Sequence, residues 1–240
     1  MPIARFPKPP AAFSTCAVTM AIALSFAALP AAETTLWADG WPGYDIVMLS
    51  CEGDTYAGDK NGHRPALRDY IDVGGRVFAT HYHFTWMQGD APADLASIAT
   101  FRPTYNDVNG VVDIDTSFVK GEALADWLEF VDGSHPWGQF QVNDGRDHTM
   151  SLSANAQRWV TYGPGEQILY FSFNAPIGAP EEDQCGRMVY SDIHVSIGAG
   201  NPTGSFPSAC NDTPLTEQEK VLLFMLFDLS ACITPDVPPG

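Results

Sequence analysis

Basic residues are scarce in this chain: 12 Lys and Arg stand against 29 Asp and Glu, a formal net charge of −17 at pH 7. A surface that negative repels phosphate, which excludes nucleic acid and anionic lipid as partners, because binding either one needs clustered Lys and Arg. There is no internal repeat, no block of like charge and no HExxH helix. The eight alternating strand and helix signals of a (β/α)₈ barrel are absent too. Asp107, Asn109, Asp113 and Asp115 do not fit a twelve-residue calcium loop with its terminal Glu, and read as turn formers. The apolar run Ala17 to Leu29 is shorter than the roughly 20 residues that a membrane-spanning helix needs.

What that run does fit is a secretory leader over residues 1–32. Arg5 and Lys8 give the charged start, the run itself the apolar middle, and Leu29-Pro30-Ala31-Ala32 a small-residue cleavage zone. Cys16 lies too early in the run to serve as a lipid anchor. Export predicts a secreted, periplasmic or cell-envelope location, with an unidentified ligand or envelope component as partner. Cleavage would leave no integral membrane span, and it would leave 10 basic against 29 acidic side chains, or −19. Outside the cytoplasm disulfides persist. The four remaining cysteines, Cys51, Cys185, Cys210 and Cys232, allow three pairings. Cys185 with Cys210 is favoured, since both flank a loop rich in Gly, Pro and Ser that a crosslink would tether. Cys51 is then paired with Cys232 or left as a thiol.

The remaining chain reads as one α/β domain over residues 33–234, followed by a disordered tail at 235–240. Tyr44 to Cys51 is a short, nearly continuous apolar run, the pattern of a strand buried on both faces in a parallel sheet. A helix is predicted from Pro65 to Val73, stopped by Gly74-Gly75, and a second strand from Arg76 to His83, completing a right-handed β-α-β unit. Val119 to Val131 is an amphipathic helix. The β-prone pieces between Gly138 and Phe173 read as an antiparallel excursion beside the main sheet. Met188 to Val195 returns as a parallel-type strand. Thr216 to Glu219 supplies a capping box for a last helix, apolar nearly all round and so expected to be buried.

Several segments carry a resemblance: CEG at 51–53, GGRVF at 74–78, ADWL at 125–128, FNAPIGA at 173–179, QCGRMVYSDIH at 184–194 and QEKVLLFMLFDLS at 218–230. Together they resemble the glutamine-amidotransferase-like and ThuA-like domains, in particular a group of exported proteins common in myxobacteria. The resemblance implies a mostly parallel, doubly wound (flavodoxin-like) sheet with helices on both faces, carrying the antiparallel excursion in its second half. In class I amidotransferases a Cys nucleophile sits on the sharp turn after the strand that here reads RVFATHYH. In this chain Thr80, His81 and Tyr82 hold that place.

In open α/β sheets ligands bind beyond the carboxyl ends of the strands. Three such ends carry polar groups: Cys51-Glu52, His81-Tyr82-His83, and Asp192 with His194. Strand alternation puts His81 with His83, and Asp192 with His194, on one face. If the strands are neighbours, these four form a ligand set for zinc or another divalent transition metal. Glu52 is the candidate general base, with His81 and His194 as further catalytic candidates. Cys51, Thr80, Tyr82 and Trp86 are expected to line the pocket. Two other readings stay open: histidines that only pack at strand ends, and a polar pocket without metal. Since no Cys occupies the nucleophile turn, the expected function is an exported, non-catalytic binding or structural module. The alternative is a metal-assisted hydrolase or sugar-modifying enzyme.

Overall fold

The computed structural model describes residues 36–37, 41–164, 167–194 and 214–231. The leader, Cys210, Cys232 and the tail after residue 234 lie outside the described residues. The chain divides into two compact units, and the one formed by Pro30–Ser196 with Thr216–Gly240 holds every element named below.

Strand β1 (Ile46–Leu49) leads through helix α1 (Arg64–Asp72) into β2 (Arg76–Thr80), and the two strands pair in parallel. Pro65 opens α1, where its missing N–H costs nothing. Leu67, Tyr70 and Ile71 then recur on one face and bury against Val77, Ala79, Met188 and Tyr190 of the sheet. The chain continues through a 3₁₀ segment (His81–Met87), α2 (Ala93–Ala96), β3 (Ala99–Phe101), β4 (Asp107–Ile114) and α3 (Val119–Phe130). Five strands follow: β5 (Gln139–Arg146), β6 (Thr149–Leu152), β7 (Ala156–Tyr162), β8 (Gln167–Ala175) and β9 (Gly186–Ser191). Helix α4 (Glu217–Ser230) closes the unit and begins on the capping box of Thr216 with Glu219.

The strands form one mixed sheet in the order β1-β2-β9-β8-β7-β4-β5, with β3 and β6 attached through β8. Only β1/β2 and β2/β9 pair in parallel, and the other six pairings are antiparallel. The expected mostly parallel, doubly wound, flavodoxin-like sheet is therefore wrong for this chain. The physical reason lies in the connections. From β5 to β9 the longest loop spans 176–185, shorter than the dozen or more residues that a parallel crossover requires. The supposed excursion is the larger part of the sheet, and one β-α-β unit is grafted on its edge.

Two further expectations change with it. β1 is an edge strand with one buried face: Val47 and Leu49 are buried, while Ile46 and Met48 are about two-fifths exposed. Helix α4 buries Val221, Leu222, Met225 and Leu229 but leaves Phe227 exposed. Among the described residues no helix is long and apolar enough to cross a membrane.

β9 opens at Gly186, where an added Cβ would run into the carbonyl of Ile71. The bare backbone there lets the end of α1 seat directly on the strand. Gly186→Ala is expected to destabilise the fold by about 1–3 kcal/mol through overpacking. Urea unfolding would show a lower midpoint at unchanged slope. An unchanged midpoint would mean that α1 does not depend on this contact.

Candidate metal centre

The carboxyl ends of β1, β2 and β9 lie side by side, and each delivers one group to the same place. After β1 the chain runs through Ser50 to Cys51, a free and exposed thiol. After β2 it turns sharply at His81, whose φ of 47° lies in the left-handed region that a non-glycine residue seldom enters. That turn ends the strand at Thr80 and carries the imidazole back over the sheet edge. The Thr80 hydroxyl fastens the two strand ends by donating to the Leu49 carbonyl at 3.3 Å. Beyond β9, His194 is held by its own N–H, which donates to the Asp144 carbonyl at 3.2 Å, and by Gln218 from α4.

The rings of His81 and His194 stack with centroids 3.4 Å apart. The Cys51 sulfur and one nitrogen from each of these histidines all lie within 4.8 Å of one another, a set that could hold a metal ion. Its chemistry suits a borderline-soft transition metal, which takes thiolate and imidazole together. Burial lowers the His81 pKa to about 2, with the nearby His194, His148 and Arg146 adding to the effect. Burial also lowers that of His194, against the pull of Asp144. Both rings are thus neutral, the form that ligates. His81 Nε2 is buried without a hydrogen-bond partner. His194 Nδ1 sits 2.9 Å from Asp144 Oδ2, which places its proton there and leaves the Nε2 lone pair open. This carboxylate-histidine pairing is the usual outer support of a metal ligand. A shared ion about 2 Å from each nitrogen requires the two stacked rings to swing apart.

No known protein family matches the chain by sequence, and no curated protein does. Solved structures give distant matches. One is a cold-adapted beta-galactosidase from Rahnella sp. R3, with TM-score 0.37 and 14% identity over 83% of this chain and 25% of that one. This chain spans a quarter of that protein's length, and a likeness so weak transfers neither fold nor activity.

His83 and Asp192 stand outside the trio. The strand period stops at Thr80, so His83 falls in the 3₁₀ segment with both ring nitrogens engaged. Nε2 donates to the Ser50 carbonyl at 2.7 Å, and Nδ1 accepts from Trp86 Nε1 at 3.2 Å. Asp192 is fully buried and accepts from His148 Nδ1 (2.9 Å), from the Thr149 N–H and hydroxyl (both 3.1 Å) and from the Tyr190 hydroxyl (2.8 Å). Glu52 pairs with Lys60 at 2.6 Å and lies 3.7 Å from His83 Nε2. Trp86 is wholly buried, edge-on to Trp37 and Trp41, and belongs to the core. Tyr82 is half-buried and faces Tyr105 and His148. The exposed Cys185 lies 3.7 Å from the Asp72 carbonyl, while its expected partner Cys210 is outside the described residues.

Sequence reasoning missed His148 and Asp144, both in a run that reads as a hairpin turn. His148 sits with its ring centroid 6.0 Å from that of His81, and its Nε2 is buried without a partner. Nothing local marks it, since the carboxylate that orients it lies 44 residues further on.

Proposed function

We propose that the chain binds a single divalent transition metal, zinc by preference, through Cys51, His81 and His194, and that the centre serves metal-assisted hydrolysis of a small uncharged substrate. The observation that carries this reading is the convergence of one sulfur and two imidazole nitrogens within 4.8 Å. Three protein ligands leave a coordination position open, as catalytic zinc sites do, whereas structural sites use four. Bound there, the metal supplies Lewis acidity. The protein's own part is to hold both rings neutral, to orient His194 through Asp144, and to leave the sulfur side open to solvent. A net charge of −17 disfavours anionic substrates. His81 at the sharp turn after β2 replaces the thiol that amidotransferase chemistry would need there, so that activity is not proposed.

The test uses untagged protein and the metal alone. Elemental analysis and titration with Co²⁺ should show one equivalent bound, with the sulfur-to-cobalt absorption lost in Cys51→Ser. Asp144→Ala should weaken affinity by about 10–100-fold, the usual effect of removing an outer partner. Weak, substoichiometric binding that survives both Cys51→Ser and His81→Ala would overturn the assignment. Stoichiometric metal without hydrolysis of any uncharged ester in a chromogenic panel would retain the site and remove the catalytic half of the proposal.

A further inference from the structure

At the opposite end of β9 from the histidines, a polar cleft of about 240 Å³ opens over β7 and β8. Its hydrogen-bonding character follows from what its side chains already do. Ser172 Oγ faces Trp159 Nε1 at 2.8 Å and Arg187 Nη2 at 3.0 Å. Both neighbours can only donate, so the serine oxygen accepts twice and its own O–H is left to donate. Asn174 Oδ1 accepts from Arg187 Nη1 at 3.1 Å. Arginine has no acceptor, which fixes the amide orientation and leaves the Asn174 NH₂ group as two donors. Gln157 and Gln184 add acceptors beside these donors. Gln157 Nε2 donates to the Arg158 carbonyl at 2.7 Å, and Gln184 Nε2 donates to the Ala179 carbonyl at 3.0 Å. Each therefore keeps its Oε1 as an acceptor together with one remaining amide N–H, and the exposed Glu181 adds a carboxylate at the rim.

Donors and acceptors interleaved in this way match a molecule whose every polar group both gives and takes a proton. We infer that this cleft binds a neutral polyhydroxylated molecule the size of one sugar ring. Ser172 and Asn174 are braced by Arg187, itself buried and paired with Asp228 at 3.1 Å, so their donors are preset rather than mobile. The cleft falls below the roughly 300–1,000 Å³ of drug-sized sites, which suits a single ring. Anionic ligands are disfavoured by Glu181 and by the net charge of −17. A cationic ligand finds only that one carboxylate among the lining residues, and the lining aromatic, Phe173, is buried in the core. The inference stands apart from the metal centre, with which the cleft shares no residue.

The experiment is calorimetric titration of the full chain with a panel of monosaccharides and sorbitol, run beside acetate, inorganic phosphate and glycine. Side-chain amide resonances of Asn174, Gln157 and Gln184 are followed in parallel. At least one polyol should saturate and shift those amides. Gln157→Leu and Gln184→Leu should each weaken binding about tenfold, the effect of one hydrogen bond, with an unchanged melting temperature. Ser172→Ala should do the same, but it also unpairs Trp159 and Arg187, so the two glutamine variants decide. Saturation by acetate, phosphate or glycine with none by the polyols would overturn the inference. So would the absence of any saturation, or polyol binding indifferent to both glutamine variants.

Discussion

Asp192→Ala is expected to remove about 3–5 kcal/mol of stability, because it breaks a buried charged network from its centre. The carboxylate has no exposed surface, and its two oxygens serve the imidazole of His148, both donors of Thr149 and the hydroxyl of Tyr190. Burial raises its pKa even against those hydrogen bonds, so the site is costly to form and costlier to leave half-made. Alanine orphans the Thr149 N–H, the Thr149 hydroxyl and the His148 N–H together. Each buried unsatisfied group costs about 1–3 kcal/mol. Asn at the same position keeps one acceptor and should lose less. Urea unfolding followed by tryptophan fluorescence decides the matter. A loss under about 1 kcal/mol for the alanine variant would mean that water or a rearranged loop satisfies these donors. The network reaches the metal centre through Tyr190, whose single hydroxyl proton is shared between Asp192 Oδ1 at 2.8 Å and the His81 carbonyl at 2.6 Å. The left-handed turn at His81 is therefore tied to the same buried carboxylate.

How far the sequence carries one toward this arrangement differs between fold and site. The β1-α1-β2 unit is legible because each signal is local: an apolar run, Pro65 opening the helix, and Gly74-Gly75 ending it. The sheet as a whole is not legible. The run YDIVMLSC looks like a strand buried on both faces, yet Ile46 and Met48 alternate outward on an open edge. Hydrophobicity alone does not distinguish a central strand from an edge strand that exposes apolar side chains. The pairing of β8 with both β7 and β9, which makes the sheet mostly antiparallel, depends on long-range register that no single segment encodes. For the site, adjacency of the His81 and His194 strand ends follows from expecting β2 and β9 in one sheet, and those strands do pair. Extending strand alternation to His83 fails where the chain turns left-handed at His81, because period-two logic holds only while the backbone stays extended. Asp144 also has positive φ, at 64°, and its residue type and setting mark a turn so well that its second task, holding His194, leaves no trace in the sequence.

Glu52→Ala is expected to cost about 3 kcal/mol, the lower end of what breaking a buried ion pair does, since Glu52 itself is 28% exposed. The loss arises at its partner. Lys60 is wholly buried, and its ammonium donates to Glu52 Oε2 at 2.6 Å and to the Thr55 carbonyl at 2.9 Å. The rings of Trp37, Tyr56 and Trp86 surround it, with centroids 5.2, 5.8 and 6.0 Å away. Those ring faces attract a cation, but they do not replace a carboxylate. Lys60→Met should cost far less than Glu52→Ala, because an unbranched thioether fills the same aromatic cage without a charge to neutralise. In the double variant Glu52→Ala/Lys60→Met the removal of Glu52 should then be nearly free, giving a coupling of about 3 kcal/mol, nearly the whole cost of Glu52→Ala alone, by unfolding in urea. Strict additivity would show that Glu52 does not neutralise Lys60 in the folded chain. The cycle also bears on the metal centre, since Glu52 follows Cys51 and the Lys60 anchor fixes the loop that presents the sulfur. Glu52→Gln retains an acceptor for Lys60 and should leave Co²⁺ affinity unchanged. Glu52→Ala should weaken that affinity by loosening the loop, which is the behaviour of a scaffold residue and not of a proton-transferring one.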